Sequence, residues 1–196
     1  MPEDVLPPPV AIGASQELLD LIPRIPLLPG ESSIEFEDLR HAFLFELAPS
    51  NAYQAALAEN LTALEWEIHR HRKLRDGLLR SSYRAAAQEF WTKEKFGGLS
   101  GGIKNSEKAV SFAEGLLNPA SAQAASSLAW LAEHHIDPSE IAAKAYRNVQ
   151  DALEPHERKL ADLEIRRRRL RDDYDRLKAT RTRPIEEAHF VRQHGD

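Results

Sequence analysis

The sequence predicts an all-α protein built on a long antiparallel helical hairpin, coiled-coil-like in its contact. A small helical insert sits at its tip and a proline-rich strap at its amino terminus. Three observations predict this. Alanine, leucine, glutamate and arginine dominate the long segments, while β-branched residues are sparse outside short runs. Apolar residues recur at alternating steps of three and four along two stretches, the spacing that keeps side chains on one stripe of a helix. The two stretches also match in length about a helix-unfriendly residue. Asn51–Gly77 has 27 residues and Pro155–Arg183 has 29, while Leu78–Lys95 and Asp137–Glu154 have 18 each. In an antiparallel hairpin both break points would then lie at one level.

Residues 1–31 form the strap. They hold seven of the twelve prolines, so only a short helix around Ser15–Leu21 fits. The apolar run Leu18, Leu19, Leu21, Ile22, Ile25, Leu27 and Leu28 is costly to leave wet and is expected to pack as an extended cover, or to dock on another protein. Ser32 and Glu35 then fit a capping box opening a helix to about Leu47. Its apolar face is read as Ile34, Leu39, Phe43 and Leu47, with Phe36 and Phe45 flanking.

Residues 32–95 and 137–183 make up the hairpin. Its first arm runs from Asn51 to about Lys95, with Leu57, Leu61, Leu64, Ile68, His71, Leu74 and Leu78 on the stripe and Gly77 as a bend. Its second arm carries Leu153, His156, Leu160, Leu163, Arg167, Leu170, Tyr174 and Leu177, and Pro184 stops it near Arg183. Asp162 with Arg166 and Glu164 with Arg168 stand as acid-before-base pairs at i,i+4. The matched lengths place Leu64 near Leu170 and Glu67 near Arg167.

Residues 96–136 are the insert. Phe96–Asn105 is a glycine-rich turn, and Asn105 or Ser106 caps a helix to about Leu117. Pro119 or Ser121 opens another, with Leu128, Trp130 and Leu131 apolar. Asp137 is an N-cap with Pro138 at the first helical position. Residues 184–196 read as a loose tail, and the whole as one structural domain.

Composition narrows the function classes. The chain has no cysteine, so disulfides, thiolate metal sites and a cysteine nucleophile are excluded. The opening MPEDVLPPPVAIGAS has no basic n-region, and no stretch is long enough to cross a bilayer, so a cytoplasmic location without membrane contact is expected. The net charge is −5 but uneven. Residues 1–60 hold ten acids against two bases, whereas residues 157–183 hold eleven bases against six acids. Either an acidic segment lies over a basic one within the fold, or the basic one faces nucleic acid.

The candidate chemistry is thin. GGLSGGIKN resembles a phosphate-binding loop, but its lysine is not adjacent to the last glycine and no strand precedes it. In EWEIHRH, Glu65 and His69 lie one turn apart while His71 points to a different face, unlike HExxH. His134 and His135 end a helix, where a cation favours the terminal carbonyls. No Ser/His/Asp arrangement can be assembled. The reading is therefore no enzyme, no metal, no cofactor and no small-molecule substrate.

Three segments carry a resemblance: LLPGESSIEFEDLRHAFLFELAP (Leu27–Pro49), ALEWEIHRHRKLRDGLL (Ala63–Leu79) and LADLEIRRRRLRDDYDRLKATR (Leu160–Arg181). In these the chain resembles a widespread group of uncharacterised bacterial helical proteins, over roughly half its length. Some of that group open with a basic, glycine-containing segment similar to that of phage small terminase or mobile-element proteins. Here an acidic, proline-rich opening stands in its place, which weakens the DNA-binding role the resemblance implies.

The expected role is that of a non-catalytic helical interaction or assembly protein, bound to a protein partner or to itself. Its seam is Leu57, Leu61, Leu64, Ile68, Leu160, Leu163, Leu170, Tyr174 and Leu177. The alternative is a nucleic-acid-binding accessory protein using Arg166, Arg168, Arg169, Arg171, Arg181 and Arg183, with Arg70, Arg72 and Lys73.

Overall fold

The computed structural model describes residues 25–96 and 107–182, with the backbone alone for Phe96, Arg181 and Thr182. Most of the strap, the glycine-rich turn with its caps, Arg183 and the tail therefore lie outside the described residues. Among the described residues the fold is all-α, with no strand. Its helices are α1 (Ser33–Leu47), α2 (Ala52–Phe96), α3 (Glu107–Leu117), α4 (Ala124–Glu133) and α5 (Pro138–Thr182). They group into two compact units. One holds α1, α2 as far as Ile68 and α5 from Asp162; the other is His69–Ala161.

In the first unit, Ser32 caps α1 by accepting the Glu35 N–H at 3.2 Å. The helix stops at Ala48, whose left-handed backbone (φ 48°) lets its N–H return to the Leu44 carbonyl at 3.0 Å. Asn51 then opens α2, its side chain accepting the Gln54 N–H at 2.8 Å. Leu44, Leu47, Leu57, Ala58, Leu61 and Tyr174 form the core, with Phe43, Leu170 and Leu177 against it. Phe36 meets Trp66 edge-on at 5.3 Å, and the Trp66 indole N–H donates to Glu31 at 3.2 Å. That bond pins the residues ahead of α1 to α2.

The apolar face of α1 matches the expected one at Leu47 and at Phe43, which packs on the core, and departs from it at Ile34. Phe36, Leu44 and Leu47 are buried, whereas Ile34 is 73% exposed. The helix carries more apolar residues than one stripe can bury, and the Phe36 stripe is the one that meets Trp66.

In the second unit the core is small-residue rich: Ala86, Ala87, Ala109, Ala113 and Ala145 surround Trp91, Phe112, Leu131 and Ile141. Alanines allow helix backbones to approach, and the Ser82 hydroxyl reaches the Ala145 carbonyl at 2.8 Å. Gly115 serves the same end between α3 and α4. A Cβ there would overlap Ser127 Oγ and stand 2.8 Å from the Gln123 carbonyl oxygen. Asp137 caps α5 through the Ser139 N–H at 2.7 Å, which holds its carboxyl below the usual carboxylate range.

Three further expectations are corrected. First, α4 begins at Ala124, not at Pro119 or Ser121, because residues 118–123 are used in turns: the Ser121 N–H bonds Asn118 O at 2.9 Å and the Ala124 N–H bonds Ser121 O at 3.1 Å. Second, Leu128 and Leu74 are exposed. The buried stripe of α2 passes instead to Ser82, Ala86 and Ala87. Third, neither Gly77 nor Pro155 interrupts its helix. Pro155 is exposed, as is Asp151 one turn earlier, so the missing backbone bond leaves a carbonyl within reach of water.

Candidate interaction surface

The seam residues divide between the units. Leu57, Leu61, Leu64, Ile68, Leu163 and Tyr174 are buried in the first, and Leu170 and Leu177 half-buried there. Leu57, Leu61 and Tyr174 share one core with Leu170 and Leu177. Leu160 is buried in the second unit. Beside the first core, Arg167 donates to Glu65 at 2.9 Å, two residues before the expected Glu67. At about 100° per residue, Glu67 stands roughly 200° around α2 from Glu65. Glu65 lies one turn after buried Leu61, on the flank that faces α5.

A second ion pair stabilises the turn between α1 and α2. Arg40 donates through Nε to both carboxylate oxygens of Glu59 at 2.9 Å, and through Nη1 to Glu37 at 3.2 Å. Hydrogen bonding to Glu59 holds the guanidinium pKa above its ordinary value, against the opposing effect of burial. In the second unit, His71 and His156 bring their Nδ1 atoms to 2.9 Å, so one ring donates and the other accepts. His134 stacks on Trp130 with centroids 4.1 Å apart, and its Nδ1 lies 2.8 Å from the Trp130 carbonyl at the end of α4.

The arginines of α5 are spread around the helix. Arg166, Arg168, Arg169 and Arg171 are exposed. Arg168 stands roughly 200° from Arg166, so the run presents no single basic face. Arg171 pairs with Asp175 at 3.2 Å and lies 4.0 Å from Glu46. Arg168 donates to the Glu164 carbonyl at 3.4 Å. Among the described residues, Arg166 and Arg169 have no carboxylate oxygen within 4 Å. Arg70, Arg72 and Lys73 belong to the second unit. The Arg181 side chain and Arg183 lie outside the described residues.

Sequence reasoning missed the exposed apolar residues. Phe45 is 68% and Tyr53 63% exposed, beside Ile34 in the same unit. Ile34 and Phe45 are eleven residues apart on α1, three turns, and so share a stripe with Asp38 and His41 between them. The signal was present: a stripe through 34 and 45 competes with one through 36, 43, 44 and 47, and one helix cannot bury both against one neighbour.

Elsewhere an open apolar groove of about 550 Å³ is lined by Leu79, Arg80, Tyr83, Leu117 and Tyr146 with small residues of α5. Burial raises the Tyr83 phenol above its usual value. Among the described residues, no group of three or more metal-ligating side chains is placed to hold an ion, and no helix is long and apolar enough to cross a membrane. The chain matches no family model, no curated protein and no solved structure.

Proposed function

We propose that the chain is a non-catalytic helical interaction module whose two long helices pack antiparallel, coiled-coil-like, with the exposed face of α1 receiving a partner. Contacts inside each unit support the packing. From His71 to Ser82, α2 advances eleven residues, while their partners on α5 step back eleven, from His156 to Ala145. In the first unit α2 passes from Leu61 to Glu65 as α5 retreats from Tyr174 to Arg167. On the second unit's register Gly77 stands opposite Gln150, five residues short of Pro155, so the level break points expected from segment lengths do not hold. The Trp66–Glu31 bond supports the strap at its described end.

One observation carries the functional reading: Ile34, Phe45 and Tyr53 are the most exposed large apolar side chains described in a unit whose core buries Leu44, Leu47, Leu57, Leu61 and Tyr174. Apolar surface of this kind is characteristic of interfaces. A photo-crosslinking residue at position 45, introduced in living cells, is expected to give a discrete protein adduct. Absence of any adduct contradicts the reading.

The nucleic-acid alternative draws on Arg166 and Arg169, which have no carboxylate oxygen within 4 Å among the described residues, and on the resemblance to a group some of whose members open like phage small terminase or mobile-element proteins. It predicts a shift of DNA or RNA mobility that weakens steeply with salt and is lost on replacing both arginines with glutamine. No shift at low salt removes it.

A further inference from the structure

We infer that the His71–His156 pair is an acid-operated latch. It holds α2 to α5 inside the second unit while the two rings share at most one positive charge, and releases them when both are cationic. The geometry is that of one hydrogen held between two nitrogens. The Nδ1 atoms are 2.9 Å apart and the ring centroids 5.2 Å apart, with the planes tilted by 56°. Both nitrogens therefore lie on the line between the rings, each aimed at the other.

A neutral imidazole has one N–H and one lone pair, so the donor ring keeps a lone pair at Nε2 and the acceptor ring uses its own at Nδ1. A first proton goes to Nε2 of the donor ring. The bond survives, now from an imidazolium, and hydrogen bonds with an ionised donor are the stronger kind. A second proton has only the accepting Nδ1 to occupy. Two N–H groups then face each other, the bond is lost, and two cations stand in its place.

Little apolar packing replaces the bond where it stands. From His69 to Ser81 α2 has no fully buried side chain, although Leu78 and Leu79 are half-buried. From Tyr146 to Lys159 α5 buries only Leu153. The apolar core of this unit lies further along both helices, around Trp91, Phe112 and Ile141.

The surrounding charges do not compensate a second cation. On α2, Glu67 and Arg75 stand one turn before and after His71, with Arg70 and Arg72 beside it. On α5, Glu157 is adjacent to His156 and Lys159 lies within a turn. Arg75 pairs with Asp76 at 2.8 Å, and Arg158 pairs with Glu154. The others are Arg70, Arg72 and Lys159 against Glu67 and Glu157, a balance that leans positive.

The sign of the pH effect follows from counting protons. In the unfolded chain the two imidazoles are independent, and both charge as pH falls through about 6.5. The closed latch takes one proton fewer, and stability falls with pH wherever the unfolded chain binds more protons. The contribution is therefore present at neutral pH and lost in mild acid. Its steepest slope is that of one proton, about tenfold in the folding constant per pH unit.

The test is urea unfolding of the purified full chain at pH 7, 6 and 5. The wild type is compared with His71→Asn and with His71→Leu combined with His156→Leu. Asparagine can donate to a neutral His156 or accept from a cationic one, and does not itself charge. The leucine pair replaces the bond with apolar contact, so either variant alone suffices for the comparison. Between pH 6 and 5 the wild-type folding constant is expected to fall by up to about tenfold more than that of either variant. Amide exchange, corrected for the intrinsic effect of pH, is expected to place the wild-type loss within residues 69–81 and 146–159. The same pH dependence in wild type and variants, or a loss confined to other helices, overturns the inference.

Discussion

The Tyr174 hydroxyl donates to the Leu47 carbonyl at 2.9 Å, joining α5 to the last residue of α1 across 127 positions of sequence. That carbonyl is one of those a helix end leaves without an internal partner. Lys178 donates to it as well, at 3.0 Å, placing a cation at the negative end of α1. Tyr174 is fully buried, and burial raises its phenol above the usual tyrosine value.

Tyr174→Phe is therefore expected to cost only about 0.5–1.5 kcal/mol in urea unfolding, since Lys178 keeps the carbonyl satisfied. Tyr174→Ala empties the core beside Leu47 and Leu61 and should cost about 3–5 kcal/mol.

Arg40 and Glu59 are each only 12% exposed at the side chain, so removing one partner strands the other. Glu59→Ala should cost towards the lower end of about 3–5 kcal/mol. Replacing both with methionine is expected to recover much of the loss, and a double-mutant cycle measures the coupling.

Gly115→Ala adds a methyl where Ser127 Oγ and the Gln123 carbonyl already stand. The Gln123 oxygen is backbone and cannot swing aside, so the expected cost is about 1–3 kcal/mol. Gly77→Ala meets nothing within 4 Å on an exposed helix and should stabilise by about 0.4–1 kcal/mol. Opposite signs in thermal unfolding check the pair.

Alkaline titration reads the buried Tyr174 phenol and the half-buried Tyr83 phenol. Tyr83 and Tyr174 hold their protons more tightly in the folded chain, chiefly through burial. Their contribution to stability is complete below pH 10, and is lost as pH rises from there through the raised folded values. Absorbance of the phenolate should show a late component that Tyr83→Phe and Tyr174→Phe each reduce.

Much of the secondary structure was legible because its signals are local. Ser32 with Glu35, Asn51 and Asp137 with Pro138 announce helix starts by hydrogen bonds that span two or three residues. What periodicity could not settle was which of two competing stripes on α1 meets the core, since that depends on Trp66, some thirty residues away. The same limit explains Glu65 and Glu67: an error of two residues in register turns a carboxylate to the other side of its helix. The exposed face of α1 was missed for the same reason, because counting Ile34 as core removed it from the surface.

The proposed antiparallel packing of α2 and α5 within one chain is tested most directly by distance measurement between spin labels at Arg80 and Arg147. Both are exposed and stand opposite one another on the second unit's register, and a chain without cysteine takes the two labels cleanly. Helix axes about 8–10 Å apart predict one short, narrow distance that survives dilution with unlabelled protein. A broad distribution, or a short distance that vanishes on dilution, contradicts the account.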